Sequence, residues 1–74
     1  MKNEWFILQT IYDIQQLLKK YGIYVYTGER YGDIVLLEME LDELWRSSMI
    51  QKEDYHLAKL IIRRELNYEK NKTL

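Results

Sequence analysis

The spacing of hydrophobic residues predicts a first helix that begins after Thr10 and ends at Gly22. Its apolar stripe follows the three- and four-residue steps of an amphipathic helix and consists of Ile7, Ile11, Ile14, Leu18 and Tyr21, widened by Leu17. Thr10 is a good N-cap, and Asp13 three residues later makes a variant of the capping box. Gly22 ends the helix because glycine adopts the left-handed conformation without steric cost.

A second stripe predicts a helix that Asp33 caps and Arg46 ends. The positions expected to face the core are Ile34, Leu37, Leu41, Leu44 and Ser48, flanked by Val35, Met39 and Trp45. The acids of this helix are expected to face water: Glu38, Glu40, Asp42 and Glu43.

A third helix is predicted to begin near Gln51 or Lys52, with acids in its first turn as the helix dipole prefers. Its stripe consists of Tyr55, Ala58, Ile62 and Leu66, with Ile61 beside it. After Tyr68 the stripe stops, so the end of the helix is expected to fray. Only a short turn precedes this helix, which favours an antiparallel hairpin with the second.

The connection from Tyr21 to Asp33 breaks the helical pattern, and it holds all three glycines and four of the seven tyrosines. If residues 23–27 are extended, Tyr24 and Tyr26 point to one side and their neighbours to the other. A single short strand has nothing to pair with among three helices. We therefore expect an extended crossover that lies on the helices.

These patterns predict an all-α fold: a small three-helix bundle with an extended crossover between helices 1 and 2. The 74 residues are enough for one domain. Its expected parts are an N-terminal apolar lead-in (residues 1–9), the bundle (10–70) and a frayed C-terminus (71–74). In the lead-in, Trp5 and Phe6 stand in an apolar run that no single helical face can hide, so they pack on the domain or meet a second copy of it.

Composition and charge narrow the classes of function. Eleven Lys and Arg against twelve Asp and Glu give a net charge of −1, so overall charge does not predict nucleic-acid binding. Without cysteine, disulfides and thiolate metal sites are excluded. The longest apolar runs are too short for a signal peptide or a membrane span, so we expect a cytoplasmic protein that does not enter membranes.

Several short stretches stand in a distinctive order and spacing: Tyr12 to Lys19 with Tyr21 and Gly22, Thr27 to Arg30, Asp33 with Ile34, Glu40 and Leu41 with Leu44, and Leu60 to Glu65. Over about Thr10 to Glu69 the chain thereby resembles the YqgQ type, short cytosolic proteins of Gram-positive bacteria whose function is unknown. The resemblance implies a three-helix fold and a suggested role in binding single-stranded nucleic acid. Glu29 stands where this type is expected to have aspartate, which leaves the charge unchanged.

The sharpest candidate site combines rings that can stack on bases with cations that can contact phosphates. It consists of the tyrosines Tyr24, Tyr26 and Tyr31 and the basic residues Lys19, Lys20 and Arg30. Two other interpretations stay open. Tyrosines often cap a small core with the ring buried, and an apolar lead-in favours protein–protein contact or homo-oligomer formation through Trp5 and Phe6.

Other chemistry finds little support in the sequence. His56 is the only histidine and can form neither a zinc site nor a catalytic triad alone. Pairs of acids on the second helix are expected to be exposed, whereas catalytic pairs need burial. A basic patch on the third helix consists of Lys59, Arg63 and Arg64. Its side chains are expected either to be exposed to solvent near the end of the helix or to contact phosphate. We therefore expect no enzyme, no cofactor, no metal and no small-molecule substrate.

Overall fold

Three α-helices follow one another in a computed structural model that describes residues 8–72: α1 (Ile11–Lys19), α2 (Arg30–Arg46) and α3 (Lys52–Lys72). Within this range no residue belongs to a strand. The all-α three-helix fold is confirmed. Trp5 and Phe6 lie outside the described residues, and the division into lead-in, bundle and frayed end stays a prediction. None of the three helices combines the length and the apolar content of a membrane span.

The two ends of α1 follow the predicted chemistry. The Thr10 hydroxyl accepts a hydrogen bond from the Asp13 amide at 3.2 Å, and the Asp13 carboxylate accepts one from the Thr10 amide at 3.1 Å. At the other end Gly22 has φ +77°, and the amides of Gly22 and Ile23 donate to the carbonyls of Lys19 and Leu18. This pair of bonds is the Schellman motif, in which a left-handed residue satisfies the last carbonyls of a helix.

The core lies where the three predicted stripes meet. Six side chains in it are almost completely buried, and all three helices contribute: Ile14, Leu18, Ile34, Leu37, Leu41 and Ile62. Leu8, which precedes α1, is buried with them. Ser48 does not belong to this core. It lies past the end of α2, is exposed and has φ +59°, because it is the left-handed residue of the turn into α3.

The predicted cap of α2 is wrong. The helix begins at Arg30, and Glu29 is its N-cap: the Glu29 carboxylate accepts the amides of Tyr31 at 3.0 Å and Gly32 at 2.7 Å. Asp33 lies in the first turn of α2, where its carboxylate instead accepts hydrogen bonds from the amide and the hydroxyl of Thr27. Glutamate is not among the preferred N-cap residues, which have shorter side chains. Here the Glu29 side chain reaches the amides of two residues.

Glu38 and Asp42 do not face open water, in contrast to the prediction. Lys59 of α3 lies between them, with its Nζ 2.9 Å from Glu38 Oε2 and 3.1 Å from Asp42 Oδ1. Arg63 approaches the same Glu38 oxygen at 3.0 Å, and the Tyr55 hydroxyl donates to Asp42 at 2.9 Å. We call these five residues the polar layer; it joins α2 to α3 along the edge of the core.

The end of α3 also differs from the sequence pattern, because the helix runs on to Lys72 instead of stopping near Tyr68. Glu69 is buried, and its Oε2 lies 3.5 Å from Nε of Arg30. Glu65 pairs with the same guanidinium at 3.6 Å. These ion pairs connect the last turns of α3 to the start of α2.

Candidate nucleic-acid interface

The crossover between α1 and α2 is fixed at both of its ends. At the α1 end, the Tyr21 hydroxyl donates a hydrogen bond to the Met49 carbonyl at 3.0 Å, which connects it to the turn between α2 and α3. At the α2 end, Thr27 donates to Asp33, and Gly28 turns the chain with φ +87°. Residues 23–27 therefore run over the bundle with a defined path, although they form no strand.

Side chains along the crossover alternate in direction, as the sequence predicts for an extended segment. Ile23 and Val25 are half-buried and pack against the core. Tyr24 is 72% exposed and Tyr26 is 86% exposed. The interpretation in which these two rings are buried caps of the core is therefore wrong. Their flat faces are accessible from solvent.

The two rings border a groove of about 280 Å³ between the crossover and α1. Its apolar lining comes from Ile23, Val25 and Leu37, and its polar lining comes from Lys19 and Gln15 on α1. Lys19 is exposed and lies on the same face as Gln15, four residues earlier. The groove thus brings together a cation, an amide and two accessible aromatic rings.

The remaining residues of the sequence-predicted site lie elsewhere or at its edge. Lys20 is exposed and follows Lys19, but it does not line the groove. Arg30 pairs with Glu65 and Glu69. Tyr31 is 41% exposed and borders a different concavity, of about 300 Å³, together with Glu29, Glu69 and Lys70. The groove therefore brings together only three of the six residues, Lys19, Tyr24 and Tyr26, and a binding role for any of the six stays a prediction.

Unpaired acids on α2 would repel a phosphate chain, but the structure gives most of them other partners. Glu38 and Asp42 are neutralised by Lys59 and Arg63 in the polar layer. Glu43 pairs with Arg46 at 2.8 Å. These contacts weaken the electrostatic argument against an anionic ligand, because paired charges cancel much of each other's field at a distance.

The polar layer shifts two pKa values. Burial raises the pKa of the Tyr55 phenol, and its hydrogen bond to Asp42 raises it further. Burial alone would lower the pKa of Lys59, but its hydrogen bonds to Glu38 and Asp42 outweigh that effect and raise it. The Tyr55 ring stacks on Trp45 with centroids 4.7 Å apart and planes at 6°. These residues therefore form a half-buried contact between α2 and α3.

The basic patch predicted on α3 is largely engaged in contacts within the chain. Lys59 and Arg63 belong to the polar layer, and Arg64 donates a hydrogen bond to the Gln9 carbonyl at 3.2 Å. His56 lies beside the Tyr55 ring at 6.1 Å between centroids. Across residues 8–72, no group of three His, Cys, Asp or Glu side chains is arranged to hold a metal ion.

Two residues of this surface were missed by the sequence-based prediction. Gln15 lines the groove, and Tyr12, which is 64% exposed, precedes it by three positions on the same face of α1. The signal was present in the spacing of residues 12, 15 and 19, which repeats at three and four positions beside the apolar stripe. The spacing indicates a binding surface only once the crossover is known to pass beside this face of α1.

Comparison with known proteins agrees with the resemblance seen in the sequence. The model of the YqgQ-like family matches residues 8–68. The chain is also 44% identical, over 64 residues, to a protein of Bacillus subtilis (strain 168) described as "Uncharacterized protein YqgQ", which covers 86% of this chain and 90% of the relative. The family model's match includes α1, the crossover, α2 and most of α3. The chain therefore belongs to the YqgQ-like family.

Proposed function

We propose that this protein is a cytoplasmic binding module, not an enzyme, that holds single-stranded RNA or DNA at the groove between α1 and the crossover. The observation that carries the proposal is the exposure of Tyr24 and Tyr26 beside Lys19. Single-stranded nucleic acids are bound by such combinations of stacking rings and cations. The role suggested by the family resemblance points in the same direction.

Binding of this kind is weak and tolerant of sequence. Each stacked base contributes about 1–3 kcal/mol, and every base has a face on which a ring can stack. Lys19 supplies a phosphate contact at the groove, and Lys20, next to it in the chain, supplies a second one outside the groove lining. The net charge of −1 offers no further long-range attraction. We therefore expect measurable affinity at low salt and a steep loss of it at physiological salt.

Titration of a labelled oligonucleotide with the full chain tests the proposal. The double variant Lys19→Glu with Lys20→Glu should weaken binding and reduce the slope of log affinity against log salt by about 1.4, because each phosphate contact on a single strand contributes about 0.7. Fluorescence anisotropy at about 20 mM and about 150 mM salt measures both quantities.

A matched control separates the groove from general charge. Lys19→Glu and Lys52→Glu change the net charge equally, and both lysines are exposed, but Lys52 begins α3 and does not line the groove. Only Lys19→Glu should weaken binding. Equal effects of the two variants, or no affinity of the unmodified protein at low salt, would refute the proposal.

A second candidate function is protein–protein contact or self-association, without a role in nucleic-acid binding. On α3, Leu57 and Leu60 are exposed on one face, with Leu60 68% exposed. Gln9 contacts Arg64 on the same helix, so the apolar residues Trp5 and Phe6 precede a point close to this face. Light scattering distinguishes the candidates: a larger mass for the full chain that Trp5→Ser with Phe6→Ser abolishes would favour self-association.

A further inference from the structure

We infer that the groove takes one unpaired base at a time, held between the rings of Tyr24 and Tyr26 with the phosphate towards Lys19. This inference rests on the proposed function and specifies its ligand: a single flat base in a single strand, not a run of stacked bases. The inference predicts that affinity increases with the number of bases in the strand differently from the affinity of an open stacking surface.

The spacing of the two tyrosines carries the inference. They are two positions apart on an extended segment, so their side chains leave the backbone on the same side, about 6.5–7 Å apart. Stacked bases in a strand are about 3.4 Å apart, so a ring, a base and a second ring need about 6.8 Å between the outer rings. Two bases would need about 10 Å. The interval thus fits one base and excludes a second.

Both rings are available for such a ligand. Among residues 8–72, Tyr24 and Tyr26 make no hydrogen bond and no ring contact with another side chain. Trp45 and Tyr55, by comparison, already stack on each other at 4.7 Å and leave no space between them. The interval between Tyr24 and Tyr26 is maintained from below, because Ile23 and Val25 pack against the core on either side of Tyr24.

Lys19 and Gln15 give the groove a direction. The ammonium group of Lys19 can contact phosphate as a point charge. Gln15, one turn earlier on α1, offers two amide donors and one acceptor to the edge of the same base. We expect this amide to produce a modest preference among bases, because bidentate amide contacts distinguish base edges.

Oligonucleotides with abasic positions test the inference directly. Three labelled strands of about 12 nucleotides are compared at low salt: fully abasic, abasic with one central thymine, and abasic with three adjacent thymines. The first base should raise affinity about tenfold, since it stacks on two rings. Three bases should add only a factor of about three over one, the number of registers in which one base can occupy the site.

The possible results separate this inference from the proposed function. If affinity rises about tenfold with each added base, Tyr24 and Tyr26 form an open platform: the sandwich is refuted and the proposed function survives. If an oligothymidylate of about the same length does not bind at low salt, both are refuted. If one base raises affinity about tenfold and three bases add only the factor of about three from the number of registers, both are supported.

Variants at the rings provide the second test. Tyr24→Ala or Tyr26→Ala alone should remove most of the gain from the single thymine, because a base between two rings loses one of its two faces. Tyr24→Phe and Tyr26→Phe should retain it, since stacking needs the ring and not the hydroxyl. Tyr68→Ala is the control, at a ring that is 60% exposed on α3. An unchanged gain in Tyr24→Ala would overturn the sandwich.

Discussion

At the scale of single residues, the structure depends on a few positions where the backbone takes an unusual conformation. Gly22 and Ser48 both follow the end of a helix with positive φ, +77° and +59°. Glycine adopts this region freely, whereas another L-residue there pays about 1–2 kcal/mol. The sequence predicts the turn at Gly22 but gives no such signal at Ser48, because serine is not the usual residue of this motif.

Replacing Ser48 by glycine should therefore stabilise the protein. We expect Ser48→Gly to raise the free energy of unfolding by about 0.5–1 kcal/mol, as relief of the left-handed strain outweighs the added freedom of the unfolded chain. Urea denaturation followed by circular dichroism measures it. Ser47→Gly is the matched control: Ser47 has φ −88°, so glycine there should only destabilise. A loss of stability in Ser48→Gly would contradict this explanation.

Helix caps show how far residue-level prediction extends. Thr10 and Asp13 were identified from sequence, because a threonine followed three residues later by an acid is a local signature. The cap of α2 was misplaced from Glu29 to Asp33. Both are acids near a glycine, and only the three-dimensional path of the crossover decides which carboxylate reaches the free amides.

At the scale of elements, the apolar stripes and the alternating crossover were predictable because each depends on the period of its own segment. The polar layer was not. Glu38 and Asp42 lie just off the stripe of α2, and nothing within α2 shows that Lys59 of α3 lies between them. The same holds for the groove, since Gln15 acquires its role only from the crossover that packs beside α1.

The polar layer should make stability depend on alkaline pH. The pKa of Tyr55 is raised in the folded protein from its usual 10.0, so above that pH the unfolded phenol loses its proton first. Deprotonation therefore favours unfolding, and the free energy of unfolding falls as pH rises. Lys59 adds in the same direction: its pKa is raised from 10.5, so the ammonium form that favours folding is lost at higher pH.

Tyr55→Phe isolates the phenol's contribution. It should make the fall in the free energy of unfolding above about pH 10 shallower, because the remaining fall comes from Lys59 and from groups outside the polar layer. Urea titrations at several pH values between about 8 and 11 provide the measurement. Tyr24→Phe, at an exposed ring, should leave the wild-type curve unchanged. A steeper fall in Tyr55→Phe would contradict the assigned direction.

At the scale of the whole molecule, a small core supports all three helices and leaves little reserve of stability. A chain of 74 residues is expected to have about 4–11 kcal/mol of stability in total. The core side chains come from all three helices and from Leu8 and Ile50, so a loss in any helix affects the crossover that packs on this core.

Truncation of one core leucine should therefore have a large effect. Leu41 is completely buried, and Leu41→Ala should cost about 2–5 kcal/mol, enough to unfold a large part of the population at 37 °C if the total lies at the low end. The temperature dependence of the circular dichroism signal measures the effect. Leu60→Ala, at a side chain 68% exposed, is the matched control and should change the free energy of unfolding by less than about 0.5 kcal/mol. Equal costs would contradict the observed core.

The distribution of charge on the surface also depends on how the three helices pack against one another. Along the sequence, acids predominate in α2 and bases in α3. In the fold, Lys59 and Arg63 meet Glu38 and Asp42, and Arg30 meets Glu65 and Glu69, so much of this charge is paired between helices. None of these paired residues lines the groove, whereas Lys19 does.

The proposed nucleic-acid-binding surface is tested most directly by mapping where a ligand binds on the full chain. Amide chemical shifts would be recorded by ¹H–¹⁵N NMR while an unlabelled oligothymidylate is added at low salt. We expect the shifts to concentrate on the groove, at Gln15, Lys19 and residues 23–26. Absence of shifts, or shifts confined to α3 and the residues before Thr10, would contradict the claim that the crossover forms a nucleic-acid-binding surface.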